Sequence, residues 1–311
     1  MRLLKLLLTL CVWAVGSAAA GPLEDGVAAS HNGDFATALR LLRPLADEGN
    51  ATAQLNLGFM YNLGRGVPED LVAAVSWYRK AAEQGNASAQ NNLGTMYDTG
   101  QGVPLDHAAA ASWYRKAAEQ VVATAQSNLA FSYSLGRGVP RDPAAAAEWY
   151  RKAAEQGYPE PQNNLGVMYE RGEGVLQDYA AAVSWYRKAA EQGYARAQHN
   201  LGLMYNQGRG VPRDHAAAAA WYLKAADQGE AAGQYNLGIL YASGKGVPRD
   251  YVQAHKWFNL ASLRYGTSDK ESRADAVRDR DIVAAKMTPA QIAEAQKLAR
   301  EWKPGSDGSR Q

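Results

Sequence analysis

Six of the chain's eight tryptophans, Trp77, Trp113, Trp149, Trp185, Trp221 and Trp257, stand 36 residues apart without a slip. A unit of that length is one helical hairpin that cannot bury its own apolar face, so successive units must stack on one another. Other positions keep the same step. Asn-Leu-Gly begins at Asn56, Asn92, Asn164, Asn200 and Asn236, with Asn128-Leu129-Ala130 as the one variant. A tyrosine follows each time, from Tyr61 to Tyr241, and then a Gly-x-Gly-Val-Pro loop, as at Gly64-Arg65-Gly66-Val67-Pro68; Leu176 replaces proline in the copy that starts at Gly172. An aspartate closes the set at Asp70, Asp106, Asp142, Asp178, Asp214 and Asp250. Six copies over residues 51–266 therefore predict one elongated repeat block, not two globular domains.

Residues 1–20 read as a secretory signal: Arg2 and Lys5, an apolar run from Leu6 to Val15, then Ala18-Ala19-Ala20 before Gly21. Its removal takes away the only cysteine, Cys11, and two of the 33 basic residues, leaving as many basic as the 31 acidic ones. A formally neutral chain argues against a dedicated nucleic-acid or anionic-membrane binder. No second apolar stretch approaches a membrane span. A cysteine-free remainder tolerates an oxidising compartment without needing one, so a periplasmic protein is expected, and a monomer.

Within a copy, Ala53, Leu57 and Tyr61 recur at i, i+4 and i+8 on one face of a first helix, A. Gly58 in that helix calls for a close backbone contact to offset its poor propensity, expected from Ala74 on the second helix, B. Gly64 and Gly66 end helix A, and Asp70 fits the N-cap of helix B. Ala74, Trp77, Ala81 and Ala82 form the expected buried side of helix B, with each tryptophan as its largest apolar contribution. Residues 21–50 form an atypical first hairpin, in which Gly33-Asp34, Ala38 and Leu41 hold the registers of Glu69-Asp70, Ala74 and Trp77. Residues 267–304 form a helical cap, opened at Thr288-Pro289-Ala290-Gln291 by a capping box with proline at N1. Residues 305–311 read as a disordered tail.

The register Ala-x-Ala-Gln-x-x-Leu-Gly-x-x-Tyr, Gly-x-Gly-Val, Asp, Ala-x-x-Trp-Tyr-x-Lys-Ala-Ala, read from Ala51 through Ala82 and five times more, resembles the Sel1-like repeat family. The resemblance implies an all-α fold, an αα-hairpin solenoid wound as a right-handed superhelix and related to tetratricopeptide repeats. It further implies an adaptor or scaffold, used in secretion, envelope regulation or host interaction.

If helix A lines the concave face, as the likeness to tetratricopeptide repeats implies, a protein or peptide partner would meet the positions that differ between copies. These include Leu55, Phe59, Asn62, Asn91, Asp98, Phe131, Glu170, His199, Asn206 and Tyr235. Exposed aromatics can anchor such a partner and amides can bond its backbone. Phe59, Phe131, Val167, Leu203 and Ile239 share one register, and packing between adjacent A helices is an equal reading of it. His199 and Tyr235 stand out as surface positions. Asn56 and its equivalents, the same in every copy, are expected to bond a neighbouring backbone. Arg79-Lys80 and the three equivalent pairs precede Glu83, Glu119, Glu155 and Glu191 by three and four positions, which predicts an exposed ion-pair ladder.

No catalytic constellation is present in the sequence. The five histidines form neither His-x-His nor His-Glu-x-x-His, so no metal and no cofactor is expected. No serine stands three residues before a lysine and no Lys-Thr-Gly occurs, so the serine β-lactamase pattern is missing. Binding or turnover of a cell-wall fragment or β-lactam is the alternative that cysteine-rich Sel1-like relatives suggest, and this chain lacks their cysteines. A non-catalytic scaffold is the reading the residues favour.

Overall fold

The computed structural model describes residues 21–266 and 269–305; the expected signal segment and the tail residues 306–311 lie outside them. All regular structure among the described residues is α-helix, sixteen helices joined as hairpins. The chain forms two compact units that divide after Leu105, inside the second 36-residue copy. The first holds α1 (Pro22–His31), α2 (Phe35–Asp47), α3 (Ala51–Leu63), α4 (Leu71–Glu83) and α5 (Ala87–Thr99). The second holds α6 (His107–Glu119), α7 (Ala123–Leu135), α8 (Pro143–Glu155), α9 (Pro159–Arg171), α10 (Tyr179–Glu191) and α11 (Ala195–Gln207). It continues through α12 (His215–Asp227), α13 (Ala231–Ser243) and α14 (Tyr251–Arg264) to α15 (Lys270–Ala284) and α16 (Pro289–Glu301). Odd-numbered helices from α3 to α13 are A helices and even-numbered ones from α4 to α14 are B helices.

Local chemistry sets the boundaries. Each of the six repeated aspartates caps its B helix, as Asp178 does by accepting from the Ala181 amide at 2.9 Å. The loop glycines have a second task. Gly174 sits at φ +70°, and a Cβ there would lie 2.1 Å from the Pro143 carbonyl oxygen, so one loop presses directly on the first turn of the preceding B helix. The last helix opens with the expected capping box: Thr288 N donates to Gln291 Oε1 at 2.9 Å and Gln291 N to Thr288 Oγ1 at 3.3 Å.

The core differs from the expectation in which side chain goes deepest. Gly58 faces Tyr78, not Ala74: a Cβ on it would lie 2.5 Å from the tyrosine Cδ1. Gly166 and Gly202 meet Tyr186 and Tyr222 in the same way, and there a Cβ would also lie 3.3 Å from the carbonyl oxygens of Ala182 and Ala218, the equivalents of Ala74; Gly238 meets Phe258. These aromatics are buried, whereas Trp113, Trp149, Trp185 and Trp221 are only half-buried. Trp77 and Trp257, at 8% and 1% exposure, are the exceptions. The tryptophans sit at the seam between hairpins. Trp149 and Trp185 both pack on the cluster around Tyr150 and Leu165.

The expected ion-pair ladder is replaced by other contacts. Lys80, Lys116, Lys152, Lys188 and Lys224 each lie 4.0 to 4.1 Å from the ring centroid of the tryptophan three residues earlier. Arg79 donates to the Tyr97 hydroxyl at 2.8 Å, and Arg43, Arg115, Arg151 and Arg187 make the equivalent bond to the tyrosine 18 residues on. Glu83, Glu119, Glu155 and Glu191 are exposed and enter none of the described ion pairs. An exposed pair contributes little, while these contacts also bury the cation's aliphatic stem.

A buried glutamine joins consecutive hairpins. Gln54 donates to the Ala46 carbonyl at 3.0 Å and accepts from Gln84 at 2.7 Å. In the second unit Gln162 donates to Ala154 O at 3.1 Å and accepts from Gln192 at 2.8 Å, and Gln126 and Gln198 do the same.

Two stability measurements follow from this packing. Tyr186→Ala, which empties a fully buried site, should destabilise by about 3 to 5 kcal/mol, and Trp185→Ala by a smaller amount, on the order of 2 kcal/mol; urea unfolding of the single variants measures both. Val121 carries φ +65° where α4, α8, α10 and α12 are followed by a glycine, and left-handed backbone is strained for a β-branched residue. Val121→Gly should therefore raise stability by about 1 kcal/mol in the same assay.

Candidate partner-binding clefts

In the first unit the A-helix face holds a 380 Å³ cleft lined by Ser30, His31, Leu55, Asn56, Phe59, Arg65, Ser88 and Asn92. Leu55 and Phe59 form its apolar wall. The Arg65 guanidinium lies 5.4 Å from the ring centroids of both Phe35 and Phe59. No carboxylate lines the cleft, so its polar rim combines one fixed cation with the His31 imidazole, amides and hydroxyls. Asn92 shares a hydrogen bond with the Tyr78 hydroxyl, whose pKa burial pushes up to about 12.

The second unit has two clefts on its A helices. One, of 260 Å³, includes Phe131, Ser134, Tyr150, Glu160, Asn164, Val167 and Arg196 in its lining. Phe131 is 43% exposed there. The other, of 340 Å³, opens at the N-terminal ends of α7, α9 and α11 and includes Ser127, Asn128, Tyr158, Glu160 and Tyr194.

Of the residues expected on the binding surface, Leu55, Phe59 and Phe131 line these clefts. Asn62, Asn91 and Asp98 are half-buried on α3 and α5 and line none of the three. The remaining four are engaged within the fold. Glu170 accepts from the Tyr186 hydroxyl at 2.6 Å and lies 3.9 Å from Arg209. Asn206 bonds His215 Nδ1 at 2.8 Å. His199 stacks on Tyr222 with centroids 5.7 Å apart and meets Asn236 Nδ2 at 2.9 Å. Tyr235 is covered by the C-terminal cap: its hydroxyl donates to Asp279 at 2.7 Å and its ring tilts against Phe258 at 5.6 Å. His199 and Tyr235, expected as surface positions, are therefore packing residues.

The repeated asparagines also act differently from the expectation. Asn56 donates to Thr52 O in its own helix, Asn200 bonds Asn163 at 2.9 Å, and Asn236 meets His199. The bond to a neighbouring backbone is made by the glutamine two residues earlier. Its signal was present in the sequence, since glutamine recurs at Gln54, Gln90, Gln126, Gln162, Gln198 and Gln234. No group of three or more possible metal ligands occurs among the described residues, and no described helix is long and apolar enough to cross a membrane.

Burial lowers the pKa of His199 below the ordinary 6.5, against the opposing charge of Glu230, and burial together with Arg280 lowers that of His255. Both rings are neutral in the folded chain near neutral pH. Below the ordinary value the unfolded chain takes up protons that the folded chain refuses, so stability is lost as the pH falls. Urea unfolding midpoints should drop between about pH 7.5 and about pH 5.5, with a shallower slope in a His199→Asn, His255→Leu double variant.

The Sel1 repeat model matches residues 51–86, 87–121, 123–158, 161–194, 195–230 and 231–264. No curated protein matches the chain. Among solved structures, a Sel1 repeat protein from Oxalobacter formigenes is 33% identical over 78% of this chain and 97% of its own, with a TM-score of 0.72. The protective antigen c5321 of uropathogenic Escherichia coli, which displays an SLR fold, is 30% identical over 90% of this chain and 83% of its own, with a TM-score of 0.51. With six matched copies, the hairpin fold and these two structures in agreement, the chain belongs to the Sel1 repeat family.

Proposed function

We propose that this protein is an exported, non-catalytic scaffold that binds a protein or peptide partner through the clefts of its A helices, in envelope regulation or assembly. One observation carries the reading. The glutamine found in every copy and the recurring Arg–Tyr pairs are consumed by contacts between hairpins, whereas Leu55, Phe59 and Phe131, at positions that differ from copy to copy, line clefts beside the constant asparagines. A repeat protein that uses its constant positions for stacking has its variable ones available for recognition. Each cleft sets an apolar wall beside hydrogen-bonding side chains, which suits an extended peptide. The signal-like segment at residues 1–20 supports export to the periplasm.

Affinity capture from envelope extract tests this, with the parent compared to a Phe59→Glu, Phe131→Glu variant. The variant should keep its helical circular dichroism and unfolding midpoint. A protein held by the parent, identified and purified, should bind the variant with affinity reduced by about tenfold or more. Equal affinity for parent and variant would remove the A-helix clefts as the binding surface.

A further inference from the structure

The residue ahead of an A helix is a capping residue at three sites. Asn50 and Asn86 accept from the backbone amides of Ala53 and Ala89, and Glu230 accepts from that of Gly233. In the three consecutive hairpins between them the same position holds Val122, Tyr158 and Tyr194, and none makes a side-chain cap. Each lost cap forgoes about 1 kcal/mol. Burial does not offset the loss at Tyr158, whose side chain is left 47% exposed. Tyr194 recovers part of its loss by packing on the core cluster around Tyr186 and Leu201, but Tyr158 does not, and a local rule broken without compensation marks a surface shaped for something else.

The 340 Å³ cleft lies at this break. Tyr158 and Tyr194 line it with Ser127, Asn128 and Glu160. Pro159 and Pro161 fix the backbone that carries Tyr158 and Glu160, so this wall is set before anything binds. Glu160 is the only acidic or basic side chain in the lining, is exposed, and enters none of the described ion pairs. Glu160 also lines the neighbouring cleft together with Arg196, which hydrogen-bonds the Tyr194 hydroxyl, and no ion pair between Glu160 and Arg196 is among those described. As a first-turn residue of α9, Glu160 also complements the helix dipole, but that role needs neither tyrosine.

We infer that this cleft receives a lysine or arginine side chain from an extended segment of a partner protein, with Glu160 as its counter-ion and the rings of Tyr158 and Tyr194 beside its cationic head and aliphatic stem. Charge complementarity selects this occupant. A carboxylate beside two aromatic faces favours a cation over a neutral or anionic group, and a cation beside a tyrosine face gains about 0.5 to 2 kcal/mol depending on its desolvation. The inference rests on the protein-binding reading above and gives one site its partner chemistry.

The test is an NMR titration of the full chain, with labelled tyrosine rings, using the blocked peptide Pro-Pro-Lys-Pro-Pro. Its norleucine and glutamate counterparts and the neutral oligosaccharide cellohexaose serve as comparisons. The lysine peptide should shift the Tyr158 and Tyr194 signals saturably, and the norleucine peptide should bind about tenfold more weakly. Glu160→Gln should lose the same factor. Tyr158→Asn should abolish the shifts while raising the unfolding midpoint, because it restores the cap and so separates recognition from folding. No saturable shift with the lysine peptide, equal shifts with the norleucine or glutamate peptide, or binding of the oligosaccharide alone would each overturn the inference. If partner capture still depends on Phe59 and Phe131 in that event, the scaffold reading stands without this site.

Discussion

Carbonyls in the last turn of a helix lack a donor four residues on, and in this chain a glutamine from the following hairpin supplies one. Gln54 reaches the Ala46 carbonyl at the end of α2, and its own oxygen takes the amide of Gln84 at the end of α4. One buried side chain therefore ties two B-helix ends through the A helix between them. Truncating it would remove both bonds at once, each contributing roughly 1 kcal/mol, while the Ala46 carbonyl keeps the Gly49 amide and Gln84 keeps the Lys80 carbonyl. The spacing it holds lets a loop glycine sit on a neighbouring backbone, as Gly174 does on Pro143, and lets a tryptophan reach two hairpins at once.

The same division of labour determines where recognition can occur. Buried contacts within each unit draw on alanine, leucine, tyrosine and glutamine at constant positions, and the cation of every Arg–Lys pair from Arg79 to Lys188 is placed on a neighbouring ring or hydroxyl. What remains adjustable is the outer A-helix register and the residue ahead of each A helix. Both registers open into clefts, and their chemistry differs: the cleft of the first unit carries a fixed cation, Arg65, while the Tyr158–Tyr194 cleft carries a carboxylate. A repeat array can thus vary its ligand chemistry copy by copy without disturbing the stacking that supports it.

Features that depend on contacts within about four residues were legible in the sequence: the aspartate caps, the glycine stops and the Thr288 capping box. Choices among constant positions were not. Trp77 and Tyr78 are neighbours separated by about 100° around the helix, and the alanines at 74, 81 and 82 are compatible with either ring pointing inward. Asn56 and Gln54 recur equally often, and only the location of the nearest helix end decides which one meets a foreign carbonyl. The burial of Tyr235 is not legible in the sequence, because α15, the helix that covers it, buries only Ala276 and Val283 and so shows little apolar periodicity.

The end of the array shows how the polar ladder is terminated. Leu223 stands where an arginine would continue the Arg–Tyr series, and Arg264 stands where the next glutamine would fall. Gln234 still donates to Ala226 O at 3.0 Å, but its own oxygen, fully buried, has no hydrogen-bond partner among the described residues. Apolar closure takes over at this point. Trp302 meets Trp257 edge-on at 6.3 Å, the Arg264 guanidinium lies 4.6 Å from the Trp302 ring, and Gly305 N donates to Asp227 O at 2.9 Å. Trp257 is the most buried of the repeated tryptophans because α16 packs where a seventh hairpin would otherwise stand. An open final hairpin would offer the same apolar seam and unpaired glutamine to a second molecule, so α15 and α16 do for association what the glutamines do for stacking: they decide which surface is already satisfied and which is left to bind.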